Sequence, residues 1–223
     1  MNNILPHITL ETAPTPQHSI IWLHGLGANG EDFVSIAEQI NLPLAVRYIF
    51  PHAPMRPVTI NGGAVMPAWY DIVASNIGTM QDKAGMQASH VAIENLIAQE
   101  KQRGIPAKNI FLAGYSQGGA VALHTGLRHA EKLAGILALS TYLPLAERLA
   151  DEATAPARLT PIFMAHGTSD TVVSFSFGKM SATKLREHGC DVEWHEYDMP
   201  HSLCAEEVSD IEAWLRRQLI SAT

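Results

Sequence analysis

Apolar residues gather in short uninterrupted runs, at Ile20 to His24, Ala45 to Phe50, Ile110 to Tyr115, Gly135 to Ser140, Pro161 to His166 and Val192 to Tyr197. A strand with one wet face alternates apolar and polar residues, whereas a strand buried on both faces reads as a continuous apolar run. Most of these runs are continuous, so they predict strands of a parallel sheet covered on both sides. Between them the period changes to that of a helix. Over Asp82 to Arg103, Met86, Ile93, Leu96 and Ile97 fall on one helical face, and the segment stops at Gly104 before Pro106. In the last segment Val208, Ile211, Leu215 and Leu219 share a face. Glu206 and Glu207 at its start and Arg216 and Arg217 at its end follow the charge order that a helix dipole favours. Strands alternating with helices predict an α/β fold, with a mostly parallel central sheet and helices on both faces. In such sheets ligand sites form at the carboxyl ends of the strands.

The stretch from Pro51 to Gln81 shows no clear period. It holds Pro51, Pro54, Pro57, Gly62, Gly63, Pro67 and Gly78 among Met55, Met66, Trp69 and Tyr70. A long structured loop rich in apolar side chains is a candidate substrate rim. No linker, charge block or internal repeat divides the chain, so residues 1–223 are expected to form a single domain.

Composition narrows the function classes. With 47% hydrophobic and 17% charged residues the chain folds rather than staying disordered. Fifteen basic against 22 acidic residues give a formal charge of −7, and no basic run exceeds Arg216-Arg217. That balance argues against nucleic-acid binding and against a patch for anionic membranes. A bilayer span needs about 20 mostly apolar residues; the longest aliphatic stretch, Leu133 to Leu139, falls far short, so no stable membrane insertion is expected. The opening Met1 to Pro6 carries no basic residue and no apolar core, so no secretory signal is predicted. Cys190 and Cys204 make no disulfide framework, which fits reduced thiols and a cytoplasmic location.

The chemistry begins at Gly114-Tyr115-Ser116-Gln117-Gly118, a G-x-S-x-G pattern. In that turn a strained backbone lifts a serine hydroxyl above the end of a strand, and flanking glycines allow the close approach. The pattern alone is weak. Its context is stronger, since Asn109 to Ala113 reads as a strand leading in and Gly119 to Leu123 as a helix leading out. A serine needs a base to take its proton and a third group to orient that base, in the chain order Ser, Asp, His for this kind of turn. Asp170 follows the run Pro161 to His166, and His201 follows the run Val192 to Tyr197. Asp170 also suits a plain Asx turn or helix cap. Of 11 histidines, only His24, His52, His166 and His201 stand at or beyond strand carboxyl ends, and only His201 follows Asp170. Acyl transfer further needs donors aimed at the developing oxyanion. The backbone N–H groups of Gln117 and of Leu26, in His24-Gly25-Leu26-Gly27, are the candidates, with His24 bracing that loop.

Those segments, together with Phe50-Pro51-His52-Ala53-Pro54, Trp69-Tyr70-Asp71, His166-Gly167-Thr168-Ser169-Asp170 and Pro200-His201-Ser202, resemble the small bacterial carboxylesterases related to acyl-protein thioesterases and lysophospholipases. The resemblance runs from about residue 18 to about residue 215. It implies an α/β-hydrolase fold without a separate cap domain, with Ser116 as nucleophile, Asp170 as orienting acid, His201 as base, and Leu26 and Gln117 as oxyanion donors. It implies no metal or cofactor, an acyl ester or thioester as substrate, and a homodimer as candidate assembly. Ile60, Met66 and Trp69 are the expected substrate contacts in the 51–81 rim.

The expected activity is that of a serine carboxylesterase on short or medium acyl esters. Acyl-protein thioesterase or lysophospholipase activity with the same triad is the alternative, and a perhydrolase would use the same residues. A non-catalytic hydrolase-fold binding module is the reading from another class, and it would normally lack the Ser, the His or an oxyanion glycine. The spacing of Cys190, His195, His201 and Cys204 matches no standard zinc arrangement. The S-x-x-K matches at Ser176 and Ser181 lack their partner motifs and read as a solvated helix face.

Overall fold

The computed structural model describes residues 4–74 and 81–221. Residues 75–80 of the 51–81 stretch, and the first three residues of the opening segment, lie outside the described residues. In chain order the elements are β1 (His7–Glu11), β2 (His18–Leu23), α1 (Val34–Gln39), β3 (Val46–Pro51), β4 (Met55–Val58), β5 (Ala64–Pro67), α2 (Lys83–Gln102), β6 (Ile110–Tyr115), α3 (Gln117–Gly126), β7 (Gly135–Leu139), α4 (Leu149–Glu152), α5 (Ala155–Arg158), β8 (Ile162–Gly167), α6 (Phe175–Glu187), β9 (Val192–Tyr197) and α7 (Ala205–Ser221). A seven-stranded sheet runs in the order β1-β3-β2-β6-β7-β8-β9. Only the edge strand β1 pairs antiparallel, and the rest of that sheet is parallel.

The apolar runs are continuous because both faces of the sheet are covered. In β6, Ile110 and Leu112 pack with Ile93, Leu96 and Val121 of α2 and α3, whereas Phe111 and Ala113 pack with Ala37 of α1 and Ile211, Trp214 and Leu215 of α7. The Trp214 ring stands edge-on to Phe111 at 6.1 Å and tilted on Phe163 at 5.9 Å, closing the core under β6 and β8. The order of the sheet reverses direction between β2 and β6, whose carboxyl ends are held side by side by the pairing of Leu23 with Gly114. A crevice outside that point is where an open α/β sheet places its ligand.

Two elements depart from the sequence reading. β1 is short, and its burial alternates weakly as it lies along the sheet edge, so it gives no continuous run. The 51–81 stretch is not featureless either. β4 and β5 form an antiparallel hairpin of their own, closed by a turn in which Gly62 and Gly63 take φ values of 67° and 81°, a conformation that favours glycine. The hairpin has no second face to bury, and Met55 and Val65 stay exposed at its surface. Among the described residues no helix is long and apolar enough to cross a membrane.

Candidate active site

Ser116 sits between β6 and α3 with φ 54° and ψ −119°, a strained conformation for a residue with a side chain. The sheet holds it there: its N–H donates to Leu139 O at 2.8 Å, and its carbonyl accepts from Thr141 Oγ1 at 2.6 Å. A Cβ at Gly114 would strike the Gly118 carbonyl, and one at Gly118 would strike the Leu23 carbonyl. The two glycines of the pattern therefore let the turn close on itself and on β2.

Asp170 and His201 come from neighbouring strand ends. β8 and β9 pair as far as Gly167 with Tyr197, and beyond them Thr168 N–H donates to Tyr197 O at 2.8 Å and Ser169 N–H to Met199 O at 3.2 Å. These bonds fix the two loops to each other. His201 Nε2 lies 3.0 Å from Ser116 Oγ, and His201 Nδ1 lies 2.7 Å from Asp170 Oδ2. An ionised carboxylate only accepts, so the proton belongs on Nδ1 and Nε2 is free to accept from the serine hydroxyl. The Tyr115 ring packs on His201 with centroids 4.9 Å apart and limits its swing.

The Asp170 carboxylate is saturated. Oδ1 accepts from Val172 N–H at 2.8 Å and Val173 N–H at 2.9 Å. The Asx-type turn and the histidine contact are thus made by different oxygens of one side chain, and the α6 cap position falls to Ser174 instead. A second histidine also reaches Asp170, one that chain order sets aside as the base. His166 Nε2 is 2.8 Å from Val173 O and 3.3 Å from Asp170 Oδ2. Burial holds its imidazole below the ordinary value, against the opposing pull of the Val173 carbonyl and of Asp170. The signal for His166 was its place one residue before Gly167 in the same loop as Asp170, but nothing local tells a bracing histidine from a reacting one.

Leu26 and Gln117 border the same cavity as Ser116. Among the described residues neither backbone N–H is engaged by a carbonyl, which leaves both available to a ligand oxygen. The Leu26 loop is pinned from both sides. Gly27 N–H donates to Pro67 O at 2.9 Å, His24 Nδ1 lies 2.7 Å from Gly25 O, and His24 Nε2 accepts from Ala53 N–H at 3.0 Å. His24 is a fully buried brace, and burial pushes its imidazole below the ordinary value.

The cavity at Ser116 has a volume of about 240 Å³, and its apolar wall includes Leu26, Ile60, Ile72, Val172 and Val173 beside Tyr70 and Tyr142. A larger open cleft of about 480 Å³, next to Leu10, Thr12, Ile40 and Ala45, contains none of the site residues. The expected substrate contacts divide. Ile60 lines the cavity, half-exposed at its rim and tied to Ile72 by its N–H at 2.8 Å. Met66 and Trp69 do not line it. Met66 lies under the hairpin turn, where its Sδ meets Asn61 Nδ2 at 3.4 Å. Trp69 is fully buried, with its indole N–H donating to His24 O at 2.9 Å. Trp69 braces the loop from behind, its ring tilted on that of His24 with centroids 5.3 Å apart. Tyr70, named in the sequence only as part of the rim, and Tyr142, not named there at all, take its expected place on the wall.

A hydroxyl, an imidazole and a carboxylate in this relay, beside two free N–H donors and an apolar cavity, can carry out acyl transfer. Comparison with known proteins agrees in kind. Residues 7–219 match the phospholipase/carboxylesterase family. The chain is 37% identical over 221 residues to acyl-protein thioesterase 1 of Yarrowia lipolytica, covering 96% of this chain and 97% of that protein. It is 40% identical over 227 residues to acyl-protein thioesterase 1 of Neurospora crassa, covering 97% and 91%. Among solved structures, Zea mays acyl-protein thioesterase 2 superposes with a TM-score of 0.82 at 30% identity, covering 95% of this chain and 99% of that one. Arabidopsis thaliana SOBER1 superposes with a TM-score of 0.86 at 33% identity, covering 91% and 99%. The chain belongs to the phospholipase/carboxylesterase family of α/β-hydrolases and is an enzyme, a serine hydrolase of acyl esters or thioesters.

Proposed function

We propose that the protein is an acyl thioesterase that also cleaves oxoesters, working through an acyl-enzyme on Ser116. The observation that supports it most is the unbroken relay from Ser116 Oγ through His201 to Asp170, at 3.0 and 2.7 Å. Ser116 Oγ attacks the acyl carbonyl carbon while His201 Nε2 takes its proton. The carbonyl oxygen becomes an oxyanion and receives hydrogen bonds from the Leu26 and Gln117 N–H groups. Collapse expels the alcohol or thiol, which leaves with the proton from His201, and a water then repeats the sequence to release the carboxylic acid. Asp170 keeps the proton on Nδ1 throughout and stabilises the imidazolium.

The names of the relatives favour the thioester over the oxoester expected from the motifs alone. Leaving-group chemistry fits both. A cysteine thiol, with a pKa of about 8.5, departs with less help from His201 than an alcohol does. A binding module without catalysis is disfavoured by the intact relay. Hydrolysis of matched oxoesters and thioesters of one acyl group tests the reading, with a fluorophosphonate probe to label the nucleophile. The expected result is a higher kcat/KM for the thioester, with labelling abolished in Ser116→Ala. Equal labelling of Ser116→Ala, or oxoester cleavage alone, is the contrary result.

A further inference from the structure

One wall of the Ser116 cavity is a pair of tyrosines. Tyr70 Oη and Tyr142 Oη are hydrogen-bonded at 2.7 Å, and both side chains are buried. Tyr70, Ile72, Ala74 and Tyr142 border the Ser116 cavity on one side and, on the other, a second small cavity reaching Asp71 and Gln81. Ser116 borders only the first. These four residues are therefore the partition between the two spaces.

Three contacts make the partition stiff. The hydroxyl bond joins the ring tips to each other. On one side the Tyr70 carbonyl accepts from Gln117 Nε2 at 2.7 Å, so the wall is tied to the residue that follows the nucleophile. On the other, the residue after Tyr142 is held to α6, with Leu143 N–H donating to Ser181 Oγ at 2.8 Å. The distance from nucleophile to wall is thereby set by the fold rather than by the ligand.

We propose that the hydrogen-bonded Tyr70–Tyr142 pair is the stop at the end of the acyl pocket, and that it restricts the enzyme to acyl groups of short and medium length. Taking a methylene as close in size to one water, roughly 30 Å³, a cavity of about 240 Å³ holds roughly eight carbons. A longer chain meets two buried hydroxyls that already satisfy each other, and it can advance only by breaking that bond or by lifting its carbonyl away from the oxyanion donors. The inference rests on the reading of Ser116 as the acyl-accepting nucleophile.

The test is kcat/KM across p-nitrophenyl esters from butyryl to palmitoyl, kept below their micelle concentrations. For the native enzyme each added methylene raises kcat/KM about fourfold up to roughly octanoyl. Beyond that length, displacement of the carbonyl lowers it by about tenfold or more at dodecanoyl. Tyr142→Ala vacates the space of the phenol ring and raises the dodecanoyl-to-octanoyl ratio by about tenfold or more. Tyr142→Phe keeps the ring but removes the hydroxyl bond, so the dodecanoyl-to-octanoyl ratio rises by less than in Tyr142→Ala. Should Tyr142→Ala fail to fold, Ile72→Phe on the same partition serves, since it fills the cavity and moves the maximum to a shorter chain. Palmitoyl turnover equal to or above octanoyl in the native enzyme overturns the proposal. So does an unchanged chain-length profile in Tyr142→Ala, or in Ile72→Phe where Tyr142→Ala does not fold, while fluorophosphonate still labels the variant. Loss of the nucleophile reading has a different signature, in which Ser116→Ala retains hydrolysis of the whole series.

Discussion

The Gln117 side chain accepts the Trp69 N–H at 2.8 Å, which fastens the rim segment directly to the residue beside Ser116. Its other end donates to the Tyr70 carbonyl at 2.7 Å, so one amide satisfies two successive residues of the 51–81 stretch. Gln117→Ala leaves a buried N–H and a buried C=O without partners, which costs on the order of 2–4 kcal/mol. For a chain of this size the melting temperature falls by roughly 5–15 °C. Calorimetry checks it, and an unchanged transition shows that the rim stands without this latch.

The Asp170 contacts give a kinetic expectation. Asp170→Asn keeps the size of the side chain but offers an amide donor to His201, so the wrong tautomer is favoured. The kcat falls by on the order of 10⁴-fold with little change in KM. Steady-state kinetics on a single ester decide it; a loss below about tenfold would mean that His201 is oriented by something else.

His124 on α3 predicts acid sensitivity. It is almost fully buried, the His90 ring stands edge-on at 5.7 Å, and among the described residues neither His124 nitrogen has a hydrogen-bond partner. Burial, with the charges of Arg128 and His90 adding to it, pushes this imidazole down to about 3. The unfolded chain, titrating near 6.5, therefore binds more protons in between. The stability is complete above pH 6.5 and drains away as pH falls toward 3, by up to about 1.4 kcal/mol per pH unit from this group. His18, His24, His90 and His166 are shifted in the same direction by burial, so His124→Gln removes part of the slope and not all of it. Urea midpoints at pH 7 and pH 5 measure the difference, and equal slopes for the two proteins would refute the assignment.

Glu207 in the first turn of α7 works in the opposite direction. It is fully buried, with a backbone hydrogen bond from Cys204 too weak to offset the loss of water. Burial, reinforced by Asp210, pushes its pKa up to about 8. The folded protein holds a proton that the unfolded chain releases near 4.5, so this contribution is complete below pH 4.5 and is lost as pH rises through about 8. Glu207→Gln keeps the shape without the titration. It is expected to match the native protein in acid and to melt higher at pH 8.5, where the native enzyme must bury a charge. Melting curves across that range are the check, and a variant that melts lower at pH 8.5 contradicts it.

The parallel strands and the principal helices were legible because their causes are local. A run buried on both faces must be apolar throughout, and a strained serine turn needs glycines on either side, so β6, Ser116 and α3 announce themselves within a dozen residues. The β4–β5 hairpin was not legible, because its residues bury little and its glycines read equally well as a loop. Trp69 misled for a related reason: an aromatic near a site reads as a contact, but only packing tells which side of the loop its ring takes.

By itself the sequence determined the parallel strands and principal helices, their order along the chain, and the succession of Ser116, Asp170 and His201 at strand ends. Tertiary structure decided the rest. Ser116 and His201 lie 85 positions apart, and only the register of β6, β7, β8 and β9 sets the distance between their side chains. The same holds for the two uses of the Asp170 carboxylate, for His166 as its second partner and for the Tyr70–Tyr142 wall. Strand and turn propensities act over a few residues, whereas a hydrogen bond between distant strand ends exists only once the sheet has closed.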